Sequence, residues 1–128
     1  MRGVEIRIRA LVEPTEDPEK IAKAIEEIFG ELKTNTIDIG EGKAVTAESK
    51  ESSLDHLRYI LARDRIRDTV RRVLRYQADD NRLYFELNRH AAYGGHFSFY
   101  HENESPMGPI EVNVKGDTEG FIEFICGR

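Results

Sequence analysis

The sequence predicts an α+β fold, a two-layer domain whose mainly antiparallel sheet carries helices on one face, in the order β-α-β-β-α-α-β-β-β-α. Three observations carry this. Apolar and polar residues alternate in several short segments, beginning with Val4, Ile6, Ile8, Ala10 and Val12, which is the period of a half-buried strand. Between them lie stretches whose apolar residues recur every three or four positions, the period of an amphipathic helix. The strands come in hairpin-like pairs and the helices are grouped, which favours an antiparallel sheet over repeated crossovers. A chain of 128 residues can enclose one hydrophobic core but is short for two, so residues 1–128 are expected to form a single domain.

Each element has its own warrant. In the first strand Glu5, Arg7, Arg9, Leu11 and Glu13 form the second face. Asp17-Pro18 then supplies a cap followed by proline at the first helical position. Ile21, Ala24, Ile25 and Ile28 make the apolar stripe of that helix, and Gly30 stops it. Asn35-Ile37-Ile39 and Lys43-Val45-Ala47 read as two short strands joined around Gly40-Glu41-Gly42. Ser52 or Ser53 caps a second helix with a stripe of Leu54, Leu57, Ile60 and Leu61. The next apolar series is Ile66, Val70, Val73 and Leu74. The five-residue step from Leu61 to Ile66 is out of phase, so a break is expected near Arg63-Asp64, with Asp64 capping a third helix.

Asp79-Asp80-Asn81 turns the chain into a strand in which Leu83, Phe85 and Leu87 alternate with Tyr84, Glu86 and Asn88. Ala91-Ala92-Tyr93-Gly94-Gly95 reads as a connector and Phe97-Ser98-Phe99-Tyr100 as a further strand. Ser105-Pro106-Met107-Gly108-Pro109 is a turn, and Ile110, Val112 and Val114 mark the final strand. Asp117 can cap a last short helix bearing Phe121, Ile122 and Ile125, although alternation within 121–125 also allows a strand.

The charge pattern is the main clue to function. Seven of the thirteen arginines fall between Arg58 and Arg75, opposed only by Asp64 and Asp68, in a chain of net charge −5. Such a basic island can attract phosphate locally. On a helix Arg67, Arg71 and Arg75 are spaced as one ridge, with Arg65 and Arg72 toward the other flank. Guanidinium forks suit phosphate oxygens, and contacts of this kind give affinity and salt dependence rather than sequence choice. The same pattern fits an ordinary solvated face, with Asp68 pairing Arg72 or Arg71 and Asp64 pairing Arg67. It also fits a subunit interface.

Between Tyr84 and Tyr100 six aromatics are interleaved with Arg89, His90 and His96. Phe85, Phe97 and Phe99 fall on core faces, which leaves Tyr84, Tyr93 and Tyr100 as candidates for stacking on unpaired bases. His90, His96 and His101 match no helical metal-ligand spacing, and no phosphate-binding glycine loop or nucleophile motif occurs. No metal, cofactor or catalytic group is therefore expected. The single cysteine, Cys126, excludes an internal disulfide and suits a reducing, cytoplasmic setting, and no apolar run is long enough for a membrane partner.

The segments Arg65-Ile66-Arg67-Asp68-Thr69-Val70-Arg71, Phe85-Glu86-Leu87-Asn88-Arg89-His90-Ala91-Ala92-Tyr93-Gly94-Gly95 and Asn103-Glu104-Ser105-Pro106-Met107-Gly108-Pro109-Ile110 resemble a small archaeal family of uncharacterised proteins, usually described as RNA-binding. The resemblance spans essentially the whole chain. It implies a fold similar to that of the ribosomal protein that holds 5S ribosomal RNA, and an association with RNA. The expectation is a non-enzymatic RNA-binding protein in which Arg65, Arg67, Arg71, Arg72 and Arg75 contact phosphate, with Arg89 and Tyr93 on a neighbouring surface beside Gly94-Gly95. Reversal of Arg71 and Arg75 to glutamate is then expected to weaken RNA binding without unfolding the chain. The alternative is a homodimeric interaction module that buries a sheet edge or the arginine helix against a second copy.

Overall fold

Alternation at the N-terminus produces strand β1 (Glu5–Leu11), with Ile6, Ile8 and Ala10 buried and the intervening side chains exposed. The computed structural model describes residues 3–49, 54–102 and 107–127. Helix α1 (Pro18–Phe29) begins where the Asp17 carboxylate accepts from the Glu19 amide, and it ends at Gly30 with φ of 82°. Strands β2 (Thr34–Asp38) and β3 (Lys43–Ser49) form the expected hairpin. Helices α2 (Asp55–Arg63) and α3 (Arg67–Gln77) follow, then β4 (Arg82–Leu87), a short α4 (Arg89–Tyr93), β5 (Ile110–Lys115) and α5 (Thr118–Cys126).

All five strands join one sheet in the order β2-β3-β1-β5-β4, with every pairing antiparallel. The expected order holds, with two refinements. The connector after β4 coils into α4, whose first turn is capped by Asn88 accepting from the Ala91 amide. The segment expected as a strand at 97–100 follows the edge of β4 with one bridge, Leu87 to Phe99, flanked by bonds from Asn88 N to Ser98 O and Tyr100 N to Glu86 O. The ambiguous C-terminal segment is a helix, because Asp117 accepts from the Gly120 amide and Phe121, Ile122 and Ile125 turn together into the core.

The break between α2 and α3 lies where the phase slip places it. Asp64 does not cap α3, however. The first cap position of that helix is Ile66, which makes no side-chain cap bond, and Asp64 instead closes the end of α2. Ser52 and Ser53 lie outside the described residues, as do Ser105 and Pro106 of the proline turn.

The core lies between the sheet and the helical layer. Ile21, Ile25 and Ile28 of α1, Leu57, Ile60 and Leu61 of α2, Val70 and Leu74 of α3, and Phe121 and Ile125 of α5 meet Ile6, Ile8, Val112 and Phe85 there. The other face of the sheet is open. Just after β5, Gly116 takes φ of 118°, and a Cβ on it would stand 2.0 Å from the Gly3 carbonyl oxygen. Backbone cannot yield as a flexible side chain does, so Gly116→Ala is expected to destabilise the fold by at least about 1 kcal/mol in urea unfolding.

Candidate nucleic-acid interface

The α2–α3 corner positions the arginines. At Arg65 the chain turns through the left-handed region, with φ of 59°, while its amide bonds Ala62 O and the Ile66 amide bonds Leu61 O. A non-glycine residue there costs roughly 1 kcal/mol, and the turn lets α3 leave α2 and pack on α5. Val70 and Leu74 face inward, so helical geometry directs Arg67, Arg71 and Arg75 to one flank and Arg72 and Tyr76 away from the core.

The ridge of Arg67, Arg71 and Arg75 faces α5. Arg71 Nη2 donates to Cys126 O at 2.8 Å and Arg67 Nη1 to Gly127 O at 3.4 Å. These carbonyls sit at the C-terminal end of α5, where a helix lacks internal donors and its dipole is negative. Arg75 Nη2 reaches Glu119 at 3.1 Å and Glu123 at 2.6 Å, and Arg71 also pairs with Asp68 at 3.4 Å. Arg58 lies over the Phe124 ring, 5.2 Å from its centroid. Arg63 forks onto Asp64 and donates to Gly95 O at 2.8 Å. Asp64 therefore serves Arg63 rather than Arg67, and it also meets His96 Nδ1 at 3.1 Å.

Five of the seven arginines thus hold parts of the chain together. Arg65 and Arg72 are exposed, and their side chains meet no hydrogen-bonding or ionic partner among the described residues. Beside them Tyr76, one turn beyond Arg72, is 92% exposed. It is the residue that sequence reasoning missed. Its signal was its place opposite the apolar stripe of a short helix, where an aromatic has nothing to pack against.

Arg89 and Tyr93 belong to a different cluster, at the end of the sheet where the β1–α1 loop, α4 and the strand-leading turn at 107–109 converge. The side chain of Arg89 is wholly buried. It donates to Leu11 O at 2.7 Å, Pro109 O at 2.9 Å and Glu16 Oε1 at 2.5 Å. Tyr93 Oη donates to the other Glu16 oxygen at 2.8 Å. Partial burial and then the Glu16 carboxylate push the Tyr93 phenol up to about 12, so it stays a neutral donor at pH 7. A basic strip from α3 to Arg89 does not form, because the Arg89 charge is enclosed and balanced.

The remaining aromatics divide much as expected. Phe85, Phe97 and Phe99 pack edge to face or tilted, with centroids 5.3 to 6.3 Å apart. Tyr84 stands on the open sheet face, but its hydroxyl donates to Glu86 and Glu111. Two shallow depressions of about 460 and 600 Å³ flank Arg7 and Asn113 on that face. Their charge is mixed, since Arg7 pairs with Glu5 and Glu48, and Arg9 with Glu111. Cys126 is buried, which raises its thiol to about 11. Among the described residues no cluster of His, Cys, Asp and Glu could hold a metal ion, and no helix is long and apolar enough to cross a membrane.

This geometry defines an α+β domain with one bare basic stripe and no assembled catalytic group among its described residues. The family model described as "RNA binding" matches residues 5–116, and the chain belongs to that family, the UPF0201 proteins of archaea. It is 34% identical over 126 residues to the UPF0201 protein of Metallosphaera sedula, covering 96% of this chain and 87% of that one. It is 33% identical over 123 residues to the UPF0201 protein of Methanothermobacter thermautotrophicus, covering 95% and 90%. The crystal structure of the UPF0201 protein of Methanococcus jannaschii superposes with a TM-score of 0.85 at 32% identity, over 97% of this chain and 93% of that one.

Two measurements check the contacts that hold this surface. Arg89→Ala leaves Glu16 buried without its cation, and the expected cost is about 3–5 kcal/mol by denaturant unfolding. The Arg63 fork, and after it the His96 ring, hold the Asp64 carboxyl down from 3.8 to about 2 against the opposing effect of burial. A depressed carboxyl adds stability that is complete above its unfolded value and is lost as pH falls through the folded one. Asp64→Asn is therefore expected to flatten the fall in stability between about pH 4 and pH 2, as followed by urea midpoints.

Proposed function

We propose that the chain is a non-enzymatic RNA-binding protein that meets phosphate through the outer stripe of α3. One observation carries this reading: among the described residues Arg65 and Arg72 have no partner, where each of the other five arginines of the island is engaged. Arg65 strengthens it, because a residue that would be cheaper as glycine instead presents a guanidinium at a strained corner. Arg75, 49% exposed, can add a contact beside its glutamates, and Tyr76 offers a ring to an unpaired base. Arg67 and Arg71 place the stripe by fixing α3 on α5, and Arg89 and Tyr93 brace the far end of the sheet. The family description supports an RNA partner, though it assigns no residue.

A homodimer is the second reading. It is favoured by Leu11, Ile37 and Ile39, each more than two-fifths exposed at the β2 end of the sheet.

Arg71 is a poor place to test RNA binding, since its reversal also strips the end of α5. Arg65→Gly relieves the strained backbone, and Arg72→Glu touches no internal contact, so the double variant is expected to fold as the parent does. Its affinity for single-stranded RNA at low salt should fall roughly tenfold or more. The parent should show a log-log salt slope of roughly −2, for about three phosphate contacts. Anisotropy titration of a labelled oligonucleotide across a salt series reads both. Equal binding by parent and double variant would remove the stripe from the function.

A further inference from the structure

The two edges of the sheet are treated differently. At β4 the segment 98–100 runs alongside and takes up backbone groups of Glu86 and Asn88. At β2 no described segment does so. Edges are commonly blunted by lysine, proline or a bulge. Between Thr34 and Asp38 there is none, and four of the five residues are exposed.

The register identifies the free groups. Ile39 N bonds Gly42 O, so the amides of Ile39, Ile37 and Asn35 point toward β3, paired with Gly42, Ala44 and Thr46. Val12 N bonds Lys43 O, which turns Lys43 toward β1 and agrees with this phase. The N–H and C=O groups of Thr34, Thr36 and Asp38 therefore point outward. No hydrogen bond from them occurs among the described residues.

We propose that this edge pairs with the β2 edge of a second copy, antiparallel about a two-fold axis at Thr36, and so extends the sheet from five strands to ten. The proposal rests on the dimeric reading and adds its surface and register. Three consecutive outward positions centred on one residue are self-complementary. Thr36 exchanges two bonds with Thr36 of the second copy, and Thr34 and Asp38 exchange two in each direction. Asp38, the one charge in the strand, then lies opposite a neutral threonine, so no like charges are opposed. On the open face Leu11, Ala44 and Ile37 already form a row across β1, β3 and β2. The same register sets Ile37 beside Asn35 of the second copy, so the pairing covers part of the Ile37 side chain that is now exposed. Among the occupants an edge can take, a second copy fits because the symmetry is isologous and needs no partner of different sequence.

Sedimentation and amide hydrogen exchange on the unmodified protein test this together. A reversible dimer is expected in which the Thr34, Thr36 and Asp38 amides exchange at least roughly tenfold more slowly than in the dilute monomer. A monomer at every concentration would overturn both the dimeric reading and the pairing. A dimer whose three amides still exchange freely would overturn the pairing alone. As a second readout, Thr36→Cys should self-cross-link on oxidation, because paired Cα atoms at about 5.5 Å suit a disulfide. Tyr76→Cys should not, and equal cross-linking of the two would overturn the register.

Discussion

Guanidinium groups donating to main-chain carbonyls close the seams of this domain. Arg89 joins the end of β1, through Leu11 O, to the turn before β5, through Pro109 O. Arg63 joins the α2–α3 corner to the loop after α4 through Gly95 O. Arg71 and Arg67 join α3 to the end of α5 through Cys126 O and Gly127 O. In each case the end of an element or a loop leaves a carbonyl for the guanidinium to take up, and such groups are costly to bury unsatisfied. Arginine suits the task because one rigid head reaches several acceptors at once, which lysine does with less pre-organisation. Carboxylates balance these heads: Glu16 from the β1–α1 loop for Arg89, Glu123 of α5 for Arg71, and the adjacent Asp64 for Arg63.

This constraint explains why the fold was more legible than the site. Strand and helix periods are local, so β1, α1 and the α2–α3 break could be read from Ile6, Ile8, Ile21, Ile25 and the Leu61–Ile66 step. The helix at 89–93 escaped because five residues around two alanines carry no amphipathic period, and its signal was the Asn88 cap. The destinations of the arginines were not legible at all. Spacing places Arg67, Arg71 and Arg75 on one flank, but whether that flank meets water or the end of α5 depends on tertiary packing between residues more than 40 positions apart. Arg89 shows the extreme case. Its neighbours suggested a surface, whereas Leu11, Glu16 and Pro109 arrive from distant segments to enclose it.

Engagement also changes what the basic island can do. Where Glu119, Glu123, Asp64 and Asp68 lie within ion-pair distance, the outward field of the island is reduced to that of its bare members. An acidic chain whose basic island keeps few free arginines would hold RNA weakly and release it readily as salt rises. Such a protein gains more from a stacking ring than from further charge, because stacking is insensitive to screening. That gives Tyr76, nearly fully exposed beside Arg72, a role the arginines cannot fill.

Self-pairing of β2 bears directly on that weakness. A two-fold axis perpendicular to the sheet keeps both helical layers on the same side. Within each copy β2 and β4 are opposite edges, and α3 packs near β4 and α5 while α1 lies over β3. The two α3 stripes would therefore sit toward the outer ends of one extended face, unobstructed by the junction. Two weak sites held on one rigid body bind a flexible strand more tightly than either alone when the strand can span them, since the second contact becomes intramolecular. The proposed edge and the proposed stripe are thus compatible in space, and the first supplies the avidity that the second, with so few free guanidinium groups, lacks.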